Sequence, residues 1–267
     1  MNLVYNSDIL PEEKFYVELN DRAFQYGDGL FETIRYENGT LWFWSDHYDR
    51  LTAGMKTLGL TYPDGFDVPL LYQSILQLLS SNELSDQTAR VKIQVWRQTG
   101  GLYTPTTNCA NVLITARPGS PFAITQKTNV DLYPAFRLAP SPVSSFKTLN
   151  SLPYVLAGVH KQSMGLDDVI LLDTNGHLAE CVASNLFWQS ADTLFTPSCQ
   201  TGCINGIARR QLLRMFPKAE EGFFLPEILK KADVVFAANV MGIQVFQGQF
   251  SPQYYQQLMQ VFTAKSL

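Results

Sequence analysis

The sequence predicts an α+β chain built as two domains. Three observations carry that expectation. Strand-like and helix-like segments interleave along the chain. Its 267 residues allow one large domain or two modest ones. A Pro-, Gly- and Ser-bearing break, ARPGSPFAI at residues 116–124, lies between two apolar segments. The expected layout is a smaller domain at 1–117, a linker at 118–124 and a larger domain at 125–267.

Each element follows from local chemistry. Phe31 to Tyr36, the turn Glu37-Asn38-Gly39 and Thr40 to Phe43 read as a hairpin, because Asn-Gly favours the tight turn. Ser45 reads as an N-cap, and Tyr48, Leu51, Met55 and Leu58 recur with helical spacing until Gly59. Leu70 to Leu79 reads as a second helix. Val91 to Trp96 and Asn111 to Ala116 read as strands around a Gly100-Gly101 loop. In the second part, a strand runs near Thr128 to Tyr133 and a helix over Tyr154 to Met164. Val169 to Leu172, a turn at Asp173 to Gly176, and His177 to Cys181 form another hairpin. Asn185 to Gln189 and Thr193 to Thr196 are short strands, Ile207 to Phe216 is helical, and Ala232 to Ala238 is a buried strand.

Composition excludes several function classes. Charged residues are only 16% of the chain, and the net charge is −4. No basic face for nucleic acid or an anionic membrane is expected. The N-terminus lacks a basic stretch followed by an apolar one, so no signal peptide is read, and no apolar run is long enough to span a bilayer. With three His, no metal site is expected. Cys109, Cys181, Cys199 and Cys203 have no zinc-finger spacing and read as reduced thiols of a cytoplasmic protein.

Scarce charge makes solitary charges informative. Lys147 is the only charged residue between Arg137 and His160. Desolvation there would disfavour its ammonium form, and a neutral amine is a nucleophile for an aldehyde. Spacing alone favours the plainer reading, an exposed loop lysine at the start of a helix. Glu180 is the only formal charge between Asp173 and Asp192, on a segment that turns apolar, so either a buried carboxylate with a partner or an exposed hairpin residue fits. Cys203 to Arg210 is a Gly-bearing loop entering a helix, where unpaired backbone N–H groups favour an anion, or else an ordinary turn. Arg50 shares a helix face with His47. A nucleophilic lysine, a buried carboxylate, an anion cradle and an arginine are together the parts a pyridoxal phosphate site needs.

The sequence resembles the class IV aminotransferases, the fold-type IV pyridoxal phosphate enzymes. The resemblance is carried by Asp21 to Arg35 (DRAFQYGDGLFETIR), His47 to Leu51, Lys147-Thr148-Leu149-Asn150, Glu180 to Phe187, Thr196-Pro197 and Gly206 to Arg209. It implies a two-domain fold with pyridoxal 5'-phosphate between the domains, a small-molecule amino substrate and a homodimer. It implies that Lys147 bonds to the cofactor aldehyde and moves the substrate proton, and that Glu180 pairs with the pyridine nitrogen. Arg50 and the backbone of Gly206 and Ile207 would bind the phosphate, with Asn150 near the ring hydroxyl. The Asn239-Val240-Met241 loop would lie by the phosphate and substrate carboxylate.

Within the family, Arg97 to Thr107 discriminates. D-amino-acid aminotransferases carry an Arg and a His where this chain has Leu102 and Thr104. Branched-chain aminotransferases carry a Tyr-x-Arg-Pro-like strand and a Gly where this chain has Thr33. The Gly100-Gly101 pair, Lys-x-Leu-Asn, Asn205-Gly206-Ile207 and the Asn239 loop look most like 4-amino-4-deoxychorismate lyases. Some lyases have an Arg after the Gly pair, where this chain has Leu102 and Tyr103. Arg97, Arg35, Tyr103 and Met241 are therefore candidate substrate residues. A transaminase, or a non-catalytic pyridoxal phosphate-binding protein, is the alternative.

Overall fold

The computed structural model describes residues 1–62 and 67–263. The chain divides into two units, Met1–Pro121 with Phe146–Asn150, and Phe122–Ser145 with Ser151–Leu267.

In the first unit, β1 (Asn2–Tyr5) and β2 (Asp8–Pro11) precede a short α1 (Arg22–Tyr26). Then come β3 (Gly29–Glu37), β4 (Thr40–Leu41), α2 (Trp44–Thr57), α3 (Val68–Ser81), β5 (Ala89–Arg97) and β6 (Ala110–Pro118). The strands form one antiparallel sheet in the order β2-β1-β6-β5-β3-β4. The expected hairpin is β3–β4, and its turn places Asn38 and Gly39 at φ 53° and 73°. Both angles are left-handed, as a two-residue hairpin turn that follows the strand twist requires.

Helix α2 begins differently from the sequence expectation. Its N-cap is Phe43, in a left-handed conformation with no side-chain cap bond, and Ser45 lies inside the helix. Pairing beyond β4 continues through Trp42, whose N–H donates to Arg35 O at 2.9 Å. The chain must therefore turn at Phe43, and the first helical bond closes from His47 N–H to Phe43 O at 3.1 Å.

Alternation decides which sheet face is covered. Leu30, Ile34, Val91, Ile93 and Val95 point to α2 and α3 and pack on Leu51, Met55, Ile75 and Leu78. The intervening residues Phe31, Thr33, Lys92 and Gln94 lie on the opposite face and are only half-buried.

Segment Phe146–Asn150, expected in the larger domain, belongs to the first unit, as do residues 118–121 of the expected linker. Backbone pairing explains the former. Phe31 N–H donates to Lys147 O at 2.8 Å, and Leu149 N–H donates to Gly29 O at 2.9 Å. The lysine segment is thus a short extra pairing along the start of β3.

The second unit comprises β7 (Ala123–Gln126), β8 (Val130–Leu138), α4 (Leu152–Ser163), β9 (Asp168–Asp173), β10 (Leu178–Cys181), β11 (Asn185–Ser190) and β12 (Thr193–Pro197). It continues with α5 (Ile207–Met215), β13 (Glu220–Gly222), β14 (Val234–Asn239), β15 (Gly242–Gln247) and α6 (Pro252–Thr263). The sheet runs β7-β15-β14-β11-β10-β9-β8, with β12 and β13 branching from β11. The β7–β15, β8–β9 and β12–β13 pairs are parallel. Strand β9 shows why its sequence is a continuous apolar run: Val169 and Leu171 enter one cluster with Ala157, and Ile170 and Leu172 enter another with Trp188. Both faces are covered, so the four positions between the buried Asp168 and Asp173 are all apolar. Among the described residues no helix is long and apolar enough to cross a membrane, and no cluster of metal-ligating side chains occurs.

Candidate active site

In the first unit the pairing with β3 sets the register of Lys147. Its Nζ lies 4.7 Å from the centre of the Phe31 ring. The Lys92 Nζ lies 5.0 Å from the same centre. Phe31 thus gathers the amino groups of two lysines onto the half-buried side of the sheet. Burial, and then the charge of Arg90, lower the Lys92 pKa. Sequence reading missed Lys92. On an alternating strand it looks like any outward-facing lysine, and the only signal was a cation in a segment short of acids.

Beneath the same strand, Glu32 faces α2 with 1% exposure. Arg50 grips it with two bonds, Nε to Oε1 at 2.7 Å and Nη2 to Oε2 at 2.6 Å. The His47 Nδ1 lies 2.7 Å from Oε2. Burial alone would raise the Glu32 pKa, but the Arg50 charge and the His47 and Arg50 hydrogen bonds hold it at about 2. Glu32 is therefore ionised and only accepts, so Nδ1 of His47 carries the proton. Burial lowers the His47 pKa against the pull of Glu32, and its Nε2 is buried with no hydrogen-bond partner among the described residues. His47 and Arg50 share a helix face as their spacing requires, and Glu32 is the partner that spacing could not reveal.

Arg97 and Arg35 are placed differently from the expectation. Arg97 is buried, and its guanidinium donates to Asp28 at 2.9 Å, to Asn108 Oδ1 and to Leu58 O at 2.7 Å. Three of its five N–H donors hold the start of the loop, which gives it a structural role there. Arg35 stacks on Trp42 with its guanidinium carbon 4.4 Å from the ring centre, and pairs with Glu37 at 2.7 Å. Arg22 also holds the loop. It donates to Asp28 at 2.8 Å and to the carbonyls of Gly100 and Leu102 at 3.2 and 2.6 Å. The loop so held presents Leu102 and Tyr103, 75% and 90% exposed. Asn150 is exposed, and the Gly27 backbone packs against its backbone.

The second unit carries the other expected residues. Glu180 is 3% exposed on β10. Tyr154 Oη donates to its Oε1 at 2.6 Å, Ile204 N–H donates to Oε1 at 3.0 Å, and Asn185 Nδ2 donates to Oε2 at 3.3 Å. Burial and the Glu180 charge push the Tyr154 pKa up, so its hydroxyl keeps the proton that it donates. Asn185 Nδ2 also donates to Ile204 O at 2.8 Å, which ties the carboxylate to the loop before α5.

Gly206 is the N-cap of α5 and supplies no side-chain cap. A Cβ there would stand 2.0 Å from Asn185 Oδ1, so only glycine fits. The first bond of the helix runs from Arg210 N–H to Gly206 O at 3.0 Å, which leaves the Ile207 and Ala208 amides without a helical acceptor. These are the donors an anion would take. Ser184, in the turn between β10 and β11, has a buried Oγ with no partner among the described residues. A cradle that a side chain would fill and an unsatisfied buried hydroxyl both fit a phosphate-bearing cofactor. Asn239 plays a supporting part: its Oδ1 accepts from Met241 N–H at 2.8 Å and Gly242 N–H at 3.2 Å, and its Nδ2 donates to Ala183 O at 3.0 Å. It shapes the β14–β15 turn that carries Val240 and Met241.

The chain is similar to several known proteins. Over 250 residues the chain is 29% identical to the aminodeoxychorismate lyase of Vibrio harveyi, covering 89% of each. It is 26% identical to the probable branched-chain-amino-acid aminotransferase of Rickettsia bellii, covering 79% of this chain and 72% of that one. The fold matches the Escherichia coli branched-chain amino acid aminotransferase with a TM-score of 0.88 at 22% identity, covering 98% and 94% of the two chains. It also matches the branched-chain aminotransferase of Thermoproteus uzoniensis, with a TM-score of 0.88 at 20% identity over 100% and 96%. Residues 29–245 match the family described as amino-transferase class IV, and the chain belongs to that family.

Proposed function

We propose that this class IV aminotransferase-family enzyme is a pyridoxal phosphate-dependent 4-amino-4-deoxychorismate lyase, forming 4-aminobenzoate and pyruvate. The observation that carries the choice of substrate is Lys92. A half-buried ammonium on the ring that also carries Lys147 is poor company for the alkyl side chain of a branched-chain amino acid. It suits a carboxylate on a substrate whose amine reaches Lys147. The likeness to the Vibrio harveyi lyase over 89% of both chains supports the same reading.

When bound, pyridoxal phosphate supplies an aldehyde and an electron-accepting ring. Lys147 would be the residue that holds the cofactor aldehyde, and its amine, once free, would serve as the base for the proton on the carbon bearing the substrate nitrogen. Glu180, fixed through Tyr154, Asn185 and Ile204, would keep a proton on the pyridine nitrogen. Arg50 in the first unit, and the Ile207 and Ala208 amides in the second, are each candidate phosphate donors. Loss of that proton, with the ring C–O bond to the enolpyruvyl group breaking, would leave 4-aminobenzoate, and the proton would pass from Lys147 to the departing enolpyruvate to give pyruvate. This reading carries with it a cytoplasmic homodimer.

The second reading is a transaminase, supported by the branched-chain aminotransferase relatives. There Lys147 returns the proton to the cofactor carbon instead. Purified protein loaded with pyridoxal phosphate separates the two. Formation of 4-aminobenzoate from 4-amino-4-deoxychorismate supports the lyase. Its absence, with amino-group transfer from a branched-chain or D-amino acid to a keto acid, establishes the transaminase.

A further inference from the structure

Tyr154, Asn185 and Ile204 all donate to the Glu180 carboxylate, but they do not do the same work. The Ile204 amide lies in the loop before α5, and Asn185 opens β11, with bonds of 3.0 and 3.3 Å to Glu180. Asn185 Nδ2 also holds Ile204 O at 2.8 Å, so these two form one clamp that orients the carboxylate. Tyr154 stands apart from that clamp. It lies in the first turn of α4, and its half-buried ring packs against the apolar cluster of Tyr133, Ala157 and Leu171. A ring held there has its hydroxyl fixed in place. Its Oη donates to Glu180 Oε1 at 2.6 Å, the shortest of the three bonds. A phenol O–H at that distance from a carboxylate makes a charge-assisted bond, roughly twice as strong as a neutral one.

We propose that Tyr154 is a positioning residue for the proton that Glu180 shares with the ring nitrogen of pyridoxal phosphate. The inference rests on the pairing of Glu180 with that nitrogen, and on neither choice of reaction. A proton between a carboxylate and a pyridine nitrogen has two places. On the nitrogen it leaves two opposite charges, and on the oxygen it leaves two neutral groups. Burial favours the neutral arrangement unless the charges are hydrogen-bonded. A donor to the carboxylate stabilises its charged form and makes it a weaker base. The Tyr154 hydroxyl therefore weights the arrangement in which the nitrogen keeps the proton, which is the form of the ring that accepts electrons. Asn185 and Ile204 aim the carboxylate, and Tyr154 sets how strongly it pulls.

Pyridoxal phosphate labelled with nitrogen-15 in the ring tests this in the loaded protein without turnover, because the nitrogen resonance reads its protonation. The unsubstituted protein is expected to show the protonated resonance, and Glu180→Gln the unprotonated one. Tyr154→Phe keeps the ring packing and removes the donor. It is expected to move the resonance part of the way towards the unprotonated position, with the urea midpoint nearly unchanged. A kcat lower by about tenfold, with KM within about twofold, accompanies the shift. A Tyr154→Phe resonance at the unsubstituted position overturns the proposal, whatever happens to turnover. An unprotonated resonance in the unsubstituted protein, unmoved by Glu180→Gln, overturns the Glu180 pairing itself. A second measurement needs no substitution. Tyrosine carrying carbon-13 at the hydroxyl-bearing ring carbon is placed at position 154 by codon suppression. Loading the apoprotein with pyridoxal phosphate shares the carboxylate with the ring nitrogen, so the Tyr154 bond weakens and the carbon resonance moves towards that of an unbonded phenol. A carbon resonance that loading leaves in place also overturns the proposal.

Discussion

Glu32 and Glu180 are the same residue type, each on a strand and each almost wholly buried, at 1% and 3% exposure. They keep different company. Glu32 is gripped by the Arg50 guanidinium and the His47 imidazole. Glu180 is positioned by a tyrosine hydroxyl, a backbone amide and a carboxamide. A guanidinium cancels a carboxylate's charge while binding it, and neutral donors fix its oxygens and leave the charge to act on what lies beyond them. The first arrangement fastens α2 to β3 and aims Arg50. The second fixes both carboxylate oxygens of Glu180 between β10 and the loop before α5, the placement that the proposed pairing with a protonated nitrogen needs. The difference teaches that burial alone does not mark a functional carboxylate, because two equally buried ones keep different hydrogen-bond partners.

Lys147 supplies the reference for a purely chemical loss. Lys147→Ala is expected to cut turnover by about 10⁴-fold, the upper range for a proton-moving group, with an unchanged circular dichroism spectrum. Glu32→Ala should do the opposite kind of damage. It leaves a buried guanidinium unpaired, and a cost of ~3–5 kcal/mol is expected in urea unfolding. The native pKa of Glu32, about 2, lies below its usual 4.5, so its stabilising effect is full above the higher value and is lost as pH falls through the lower. That window is worth ~3 kcal/mol at about 1.4 kcal/mol per unit, and Glu32→Gln should lack it in acid unfolding. Glu180→Gln keeps acceptors for Tyr154 and Ile204 but removes the charge. About 10²–10³-fold is expected to go from kcat, with the urea midpoint nearly unchanged. If Glu180→Gln unfolds easily while Glu32→Ala loses only turnover, the two roles are reversed.

Legibility followed the range of the interaction. The β3–β4 hairpin could be read because Asn38 and Gly39 carry their own backbone preference. The β1–β2 hairpin could not. Its turn uses Asn6 and Ser7 at φ 48° and 80°, with no glycine to announce it, and the strands are held by β6 far along the chain. The start of α2 was misplaced for a similar reason, since the strand pairing at Trp42 overrode the capping preference of Ser45. Helix α6 left a usable pattern in Tyr254, Leu258 and Phe262, all on one face, amid a run of glutamines that masked it. At the site, Lys147, Glu180 and the Gly206 loop stood out because charge and glycine are scarce around them. The Glu32–Arg50 pair joins residues 18 apart on different elements, and Arg97 looked available until Asp28, Asn108 and Leu58 were seen to occupy it. No local pattern encodes such partners.

Lys92 gives the gentlest probe of the comparison, because it touches neither carboxylate. It carries a charge on the half-buried face of the sheet whose opposite face holds Glu32. Removing it should leave the Glu32 fastening intact. Lys92→Met keeps the aliphatic stem on Phe31 and deletes the ammonium. If the ammonium holds a substrate carboxylate, the loss is one charge-assisted contact, about 1.5–3 kcal/mol when fully made and less at a half-buried site. About a tenfold rise in KM is expected for an acidic amino substrate, with kcat within about twofold and the urea midpoint unmoved. Lys92→Arg should recover part of the loss, since a guanidinium also binds a carboxylate, although its planar fork needs a different approach. A merely packing role would show the reverse pattern: Lys92→Met would pass unnoticed in KM, and the larger Lys92→Arg would lower the urea midpoint.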